Sequence, residues 1–268
     1  MKHIPRKRFG QNFLKDSAVL YAIVDAIAPR VTDCMLEIGP GLGALTEKLL
    51  PHLDRLDVIE LDRDLATYLG KRFPPDKLTI HQGDALAFAI DTICTQPDRK
   101  IRIVGNLPYN ISTPLLFHLM TSADRVADQH FMLQREVVER MVAAPGSKAF
   151  GRLSVMLQWR YDMEMLFIVP PTAFEPAPKV ESAIVRMIPR ENPENVPLDA
   201  LEKVVTQAFS QRRKIIRNNL APYFTETKLN ELGIDPAKRP EALSVDQFIL
   251  LARHLPPSTS DTVNLPLP

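Results

Sequence analysis

The stretch that most constrains this chain is Met35–Thr46, MLEIGPGLGALT. Met35, Leu36, Glu37 and Ile38 predict a buried strand, and Ala44–Leu50 has the composition of a helix. Between them Gly39, Gly41 and Gly43 turn the chain sharply. A strand, a glycine-rich turn and a helix open a βαβ unit, in which glycine lets backbone approach a ligand and free N–H groups at the helix start face it. Dinucleotide-binding turns are spaced G-x-G-x-x-G. Here the spacing is G-x-G-x-G behind an acid, Glu37, a form suited to S-adenosylmethionine, whose amino acid and ribose are polar but which carries no pyrophosphate. In isolation an ordinary tight turn would look the same. A second acid-ended strand, Val58-Ile59-Glu60-Leu61-Asp62, follows at about the distance where nucleotide-binding folds set a carboxylate on ribose hydroxyls, and it favours a nucleoside site.

The rest of the chain repeats this alternation. After a helical stripe over Ser17–Ile27 and the glycine unit, strands are predicted at 57–61, 78–82, 101–104 and 130–133, with helices at 65–73, 114–120 and 137–142. Strands at 165–169 and 183–188 are joined by a loop over 170–182, which requires an antiparallel edge. Alternating strands and helices predict a doubly wound, Rossmann-like α/β domain over residues 1–190, including its basic start. A polar, proline-rich linker at 189–197 leads to helices at 198–209, 214–220, near Leu229 and at 245–255, a small all-α domain over 197–255. Residues 256–268 are rich in Pro, Ser and Thr and are expected to be disordered.

Net charge is +1, but it is unevenly spread. Lys2, Arg6, Lys7, Arg8 and Lys15 occupy residues 1–15 without an acid, and Lys203, Arg212, Arg213, Lys214 and Arg217 do the same within 203–217. Such segments attract a phosphate backbone, although a charge run is more often a solvated face. Cys34 and Cys94 stand far apart in no metal or redox spacing, and the six histidines are scattered, so no metal is expected. No apolar run reaches membrane-spanning length, and the basic N-terminus lacks a following apolar segment; a soluble, cytoplasmic protein is expected.

Two further places carry chemistry. Gly83-Asp84-Ala85 follows the third strand of the alternation, where Asp84 is either a helix N-cap or an acceptor for an adenine amino group. Asn106-Leu107-Pro108-Tyr109 stands at the strand end where α/β folds place their ligands. The exocyclic nitrogen of adenine is a poor nucleophile, because its lone pair is delocalised into the ring. A site that methylates it needs acceptors on the N–H groups, and the Asn106 side chain with the Leu107 carbonyl provides them. Tyr109 offers a flat face for a base taken out of its helix.

Together with these, Gln11-Asn12-Phe13-Leu14, the turn EIGPGLGALT, VIELD, GDA, NLPYNIS, FGRLSVM at 150–156, FEPAPKVES at 174–182 and AFSQRRK at 208–214 resemble the KsgA/RsmA family of 16S ribosomal RNA adenine-N6,N6-dimethyltransferases, in the right order from about Arg6 to Leu255. The resemblance implies a class I S-adenosylmethionine-dependent methyltransferase fold with a small helical C-terminal domain. It implies dimethylation of two adjacent adenosines near the 3′ end of small-subunit rRNA, late in subunit assembly. Carried over by motif, Gln11, Asn12, Leu14, Glu37, Gly39, Gly41, Glu60, Asp84, Ala85 and Asn106 would form the S-adenosylmethionine site, with Glu60 on the ribose and Asp84 on the adenine N6. Asn106, Leu107 and Tyr109 would hold the target base, and Phe174 would stack on it from the other side. Arg6, Lys7, Arg8, Arg212, Arg213, Lys214 and Arg217 would meet rRNA phosphates. The expected partner is the small ribosomal subunit, and the expected state is a monomer. The nearest alternative is the related enzyme that dimethylates one adenine of large-subunit rRNA and confers macrolide resistance; GRLSVM and the QRRK-containing helices favour the first. A non-catalytic ribosome-assembly factor is the alternative of another class, and a nicotinamide dehydrogenase is the weakest.

Overall fold

The computed structural model describes residues 12–94, 96, 99–191, 195–211 and 213–256. Gln11, Arg6, Lys7, Arg8 and Arg212 of the expected sites, and residues 257–268 of the expected tail, lie outside that range. The chain divides into two compact units, Met1–Val142 with Arg160–Glu191, and Ala143–Trp159 with Asn192–Pro268. The second unit thus takes in 143–159, a grouping that a linear cut near 190 does not contain.

In chain order the first unit carries β1 (Phe13–Leu14), α1 (Ser17–Ile27), β2 (Cys34–Ile38), α2 (Ala44–Leu49), β3 (Leu56–Glu60), α3 (Arg63–Arg72), β4 (Leu78–Gln82), β5 (Ile101–Asn106), α4 (Ser112–Met120), β6 (Val126–Gln134) and α5 (Arg135–Met141). Past α6 (Arg152–Arg160) come β7 (Tyr161–Val169), β8 (Phe174–Glu175) and β9 (Ser182–Pro189). The main sheet runs β4-β3-β2-β5-β6-β9-β7. From β4 to β6 the pairing is parallel, and β9 joins both β6 and β7 antiparallel. This is the Rossmann-like architecture that the alternation predicts, with β9 inserted between β6 and β7.

Two strands are longer than their apolar runs. β6 extends back through Asp128 and β7 through Asp162 and Glu164, charged residues that interrupt the apolar runs, and two of the three are matched by ion pairs across the sheet. Arg102 of β5 lies opposite Asp128 and meets its carboxylate at 2.8 Å, and Glu164 lies opposite Arg186 of β9 at 2.5 Å. Residues 1–15, whose mix of charge, aromatic, glycine and amide predicts neither helix nor strand, depart further where the structure describes them. Phe13–Leu14 is a strand, paired antiparallel with Phe174–Glu175 inside the expected loop, Phe13 opposite Glu175 and Leu14 opposite Phe174. α1 begins at an Asp16 cap and buries Leu20, Ile23, Val24 and Ile27 against a core that includes Leu14, Val104, Met132, Phe174 and Ile184. The cysteines, remote in sequence, come together: burial first, and then Cys94 beside it, push the Cys34 thiol up to about 12, which suits packing and not reactivity.

In the second unit α7 (Leu198–Ala208), α8 (Ile216–Leu220), α9 (Glu226–Glu231) and α10 (Val245–Arg253) follow one another. α7 and α10 pack together; α7 buries Leu201, Val204 and Val205, and α10 buries Phe248, Leu251 and Ala252. The helical periodicity gives no sign of α6. Leu153, Ser154, Val155, Met156 and Leu157 are all buried, so it lacks the polar face that produces a helical stripe.

Gly105 marks the tightest approach in the parallel sheet. A Cβ there would stand 2.5 Å from the Ile38 carbonyl oxygen, a backbone atom that no rotamer change can move. Gly105→Ala should cost about 1–3 kcal/mol, as overpacking does, and lower the melting temperature by roughly 2–4 °C for each. An unchanged melting curve would contradict that approach.

Candidate active site

The turn after β2 depends on glycine: Gly39, Gly41 and Gly43 have φ of 67°, 59° and 78°. Gly41 is needed a second time, since a Cβ there would come within 3.1 Å of the Phe13 ring, which β1 lays against the turn. The Glu60 carboxylate ties this turn to the one after β3. One oxygen accepts from Gly41 N at 3.1 Å and the other from Asp62 N at 2.8 Å, while Asp62 caps α3 through Asp64 N at 2.9 Å. Glu37, also buried, accepts from the Thr46 hydroxyl of α2 at 2.6 Å. Burial pushes the Glu37 carboxyl up to about 7, opposed by the Thr46 hydrogen bond and reinforced by Glu60. Burial also raises Glu60, against the pull of its backbone donors.

Asn12, Leu14, Glu37, Gly39, Gly41, Glu60, Asp84, Ala85, Asn106, Leu107 and Tyr109 all line one cavity at the carboxyl ends of β2 to β5. Asp84 is no helix N-cap, since only a turn follows it: one oxygen accepts from Leu86 N of that turn at 2.9 Å, and the residue lines the cavity. The acidic lining residues are Glu37, Glu60, Asp62 and Asp84, and among the described residues neither lysine nor arginine lines it. That charge balance suits a cationic or hydroxyl-rich occupant and opposes a phosphate.

At the other end, the Asn106 amide nitrogen donates to the Asn12 carbonyl at 3.1 Å, which leaves the amide oxygen as an acceptor. Leu107 N donates to Met132 O at 3.2 Å and fixes the start of the NLPY turn. Tyr109 is half-buried, and its hydroxyl meets the Ser182 hydroxyl at 2.7 Å. Burial raises the Tyr109 pKa and the Ser182 bond opposes the rise.

Phe174 stands elsewhere. It is 2% exposed, packs in the core with Leu14 and is not among the cavity's lining residues, so the structure does not bring it to the site's open face. Its apolar ring meets its neighbours' demand for packing, which the motif alone does not reveal. Conversely, His130, Met132 and Ile184 line the cavity from outside the motifs, and Phe13 and Asp62 line it from within QNFL and VIELD without having been expected as site residues. His130 is buried, and neither of its ring nitrogens has a hydrogen-bond partner among the described residues, an Asp128 carboxylate oxygen standing 3.8 Å from Nδ1. Burial lowers its pKa to about 4, against the pull of Asp128, so the ring is neutral at pH 7. Its one sequence signal is a polar residue inside an apolar strand.

Of the expected phosphate-binding residues, Arg6, Lys7, Arg8 and Arg212 lie outside the described residues, and Arg213, Lys214 and Arg217 belong to the second unit. Arg213 and Lys214 are exposed on the turn between α7 and α8. That turn is held by buried Asn219, whose amide donates to Ala208 O at 2.5 Å and Gln211 O at 3.2 Å. Arg217 is exposed but paired with Glu226 at 2.8 Å.

The family described as "Ribosomal RNA adenine dimethylase" matches residues 2–255. A "Ribosomal RNA small subunit methyltransferase A" of Herminiimonas arsenicoxydans is 62% identical over 95% of this chain and 100% of its own length. Among solved structures, a dimethyladenosine transferase from Plasmodium falciparum is 28% identical with a TM-score of 0.76, covering 89% of this chain and 95% of that one. The 23S rRNA methyltransferase ErmE shares the fold, at 24% identity and a TM-score of 0.71, over 91% of this chain and 99% of its own. The architecture of the first unit is thus that of the class I methyltransferases.

Folded Glu37 keeps its proton to about pH 7, against an ordinary value of 4.5. A raised carboxyl contributes stability that is complete below the unfolded value and is lost as pH rises through the folded one. Glu37→Gln, which has the same shape and no titration, should therefore flatten the fall of melting temperature between those two pH values. Parallel curves for the two proteins would mean that Glu37 is ionised in the fold.

Proposed function

Because the chain belongs to the ribosomal RNA adenine dimethylase family, we propose that it transfers methyl groups from S-adenosylmethionine to N6 of two adjacent adenosines near the 3′ end of 16S rRNA in the small ribosomal subunit, late in its assembly. The observation that carries this reading is the acidic cavity, free of lysine and arginine among the described residues, that joins the glycine turn to Asn106 and Tyr109. Its donor set fits the cofactor. Glu60 would hold the ribose hydroxyls, Asp84 the adenine amino group, and Asn12, Leu14, Glu37 and the Gly39–Gly41 turn the amino-acid end. When bound, S-adenosylmethionine supplies an electrophilic methyl group on a sulfonium, so no strong general base is required. The chain's own work is to position and to accept hydrogen bonds. Asn106, oriented by the Asn12 carbonyl, would accept from the base's N–H group, with the Leu107 carbonyl as the second acceptor. Tyr109 would stack on the base. Phosphates would be left outside by the same carboxylates that attract the cofactor.

Full-length similarity to a small-subunit methyltransferase supports 16S rRNA over the large-subunit alternative. The reaction would take place in the cytoplasm on assembling subunits, carried out by a single copy of the chain; among the described residues no helix is long and apolar enough to cross a membrane.

Labelled S-adenosylmethionine and small subunits lacking the modification test this, with large-subunit rRNA as the control. Label should appear in dimethyladenosine near the 3′ end of 16S rRNA. Asn106→Ala should remove it by at least about a hundredfold, the scale of losing an aimed polar group, while subunit binding persists. Label on large-subunit rRNA, or none, would overturn the reading. Replacing Arg212, Arg213 and Lys214 by alanine should weaken subunit binding and reduce its salt slope by roughly 0.7–0.9 for each phosphate that is no longer neutralised. An unchanged slope would mean that the turn meets only solvent.

A further inference from the structure

Resting on that function, we propose that Ser182 is a positioning residue for target-base capture, holding the Tyr109 ring in its stacking orientation through the bond between their hydroxyls. Tyr109 lies in the turn after β5, where the local ties are Ile111 N to Pro108 O at 3.2 Å and the Ser112 hydroxyl to Tyr109 O at 3.1 Å. Those bonds shape the backbone and leave the ring's two torsions to be settled by its far end. That end meets Ser182 Oγ at 2.7 Å, across 73 residues of sequence.

Ser182 is a rigid partner. It is fully buried and opens β9, with Gln134 of β6 opposite it on one side and Val169 of β7 on the other. The residue before it is held as well, since Glu181 O accepts from Arg135 N at 2.9 Å and the Glu181 carboxylate pairs with the Arg135 guanidinium at 2.8 Å. The bond therefore joins a turn to a strand end that is paired on both sides. A half-buried phenol needs a partner for its hydroxyl, and this one is supplied by the fold and not by a ligand. A ring fixed beforehand does not have to be ordered when the base arrives, which is the advantage of preorganisation. Releasing it should weaken base capture by roughly two- to tenfold, the range for one neutral hydrogen bond.

The test is a double-mutant cycle on full-length protein with small subunits as substrate. Ser182→Ala and Tyr109→Phe each remove one hydroxyl and keep the ring. Each should lower kcat/KM for subunits by roughly two- to tenfold, mainly through KM, with KM for S-adenosylmethionine unchanged, and the double variant should be no worse than the worse single. Additive losses, or losses shared with the cofactor's KM, would overturn the tether. If Ser182→Ala does not fold, Tyr109→Phe alone decides, because it removes the same bond from the turn: wild-type KM for subunits overturns the proposal and a raised one supports it. Wild-type transfer is measured first. Its absence would sink the function itself, whereas wild-type transfer with an additive cycle would sink only the role of Ser182.

Discussion

Everything in the site depends on one buried carboxylate held between two backbone turns. Glu60 takes an N–H from the turn after β2 and another from the turn after β3. Removing such a group from water is costly, and charge-assisted bonds to backbone donors are what offset the cost. In return, two neighbouring strand ends are kept in a fixed relation, and the glycine conformations between them are held at values other residues rarely adopt. The cavity is the space that this arrangement leaves open. Glu37, one strand over and anchored to Thr46, extends the same acidic wall.

What was legible in the sequence was local. The glycine turn, the acid-ended strand at 56–60 and the NLPY turn each carry their signal within a few residues, and each lies where its spacing implied. The doubly wound sheet followed from the alternation of such pieces. What escaped was long-range. Phe13 pairs with a residue more than 160 positions away, so the pattern around it has no reason to look like a strand. Phe174 could be recognised by motif, but not that its ring is packed in the core. β6 and β7 hid their first halves behind charges whose partners lie on other strands. α6 concealed itself because Leu153 to Leu157 are buried without a break.

Charge is sorted with similar economy. A near-neutral total conceals a cavity walled by carboxylates in the first unit and an exposed basic turn in the second. On the proposed function the first would select by repelling anions at short range, and the second would act through water and be weakened by salt. Choosing a small cation and finding a polyanion make opposite demands, and the proposal assigns them to separate parts of the chain.

The pairing of β1 with β8 has a thermodynamic consequence. Leu14 faces the cavity, and its partner across the ladder is Phe174, beyond the cavity wall. Among the described residues each of these strands is paired only with the other, and Leu14 and Phe174 are both packed in the first unit's core as well. To whatever extent an occupant of the cavity favours this placement of the first segment, the ladder passes that preference to the second. By reciprocity, whatever steadies Phe174–Glu175 favours that occupant by the same coupling free energy. The two-stranded sheet is thus a linkage that runs equally in both directions.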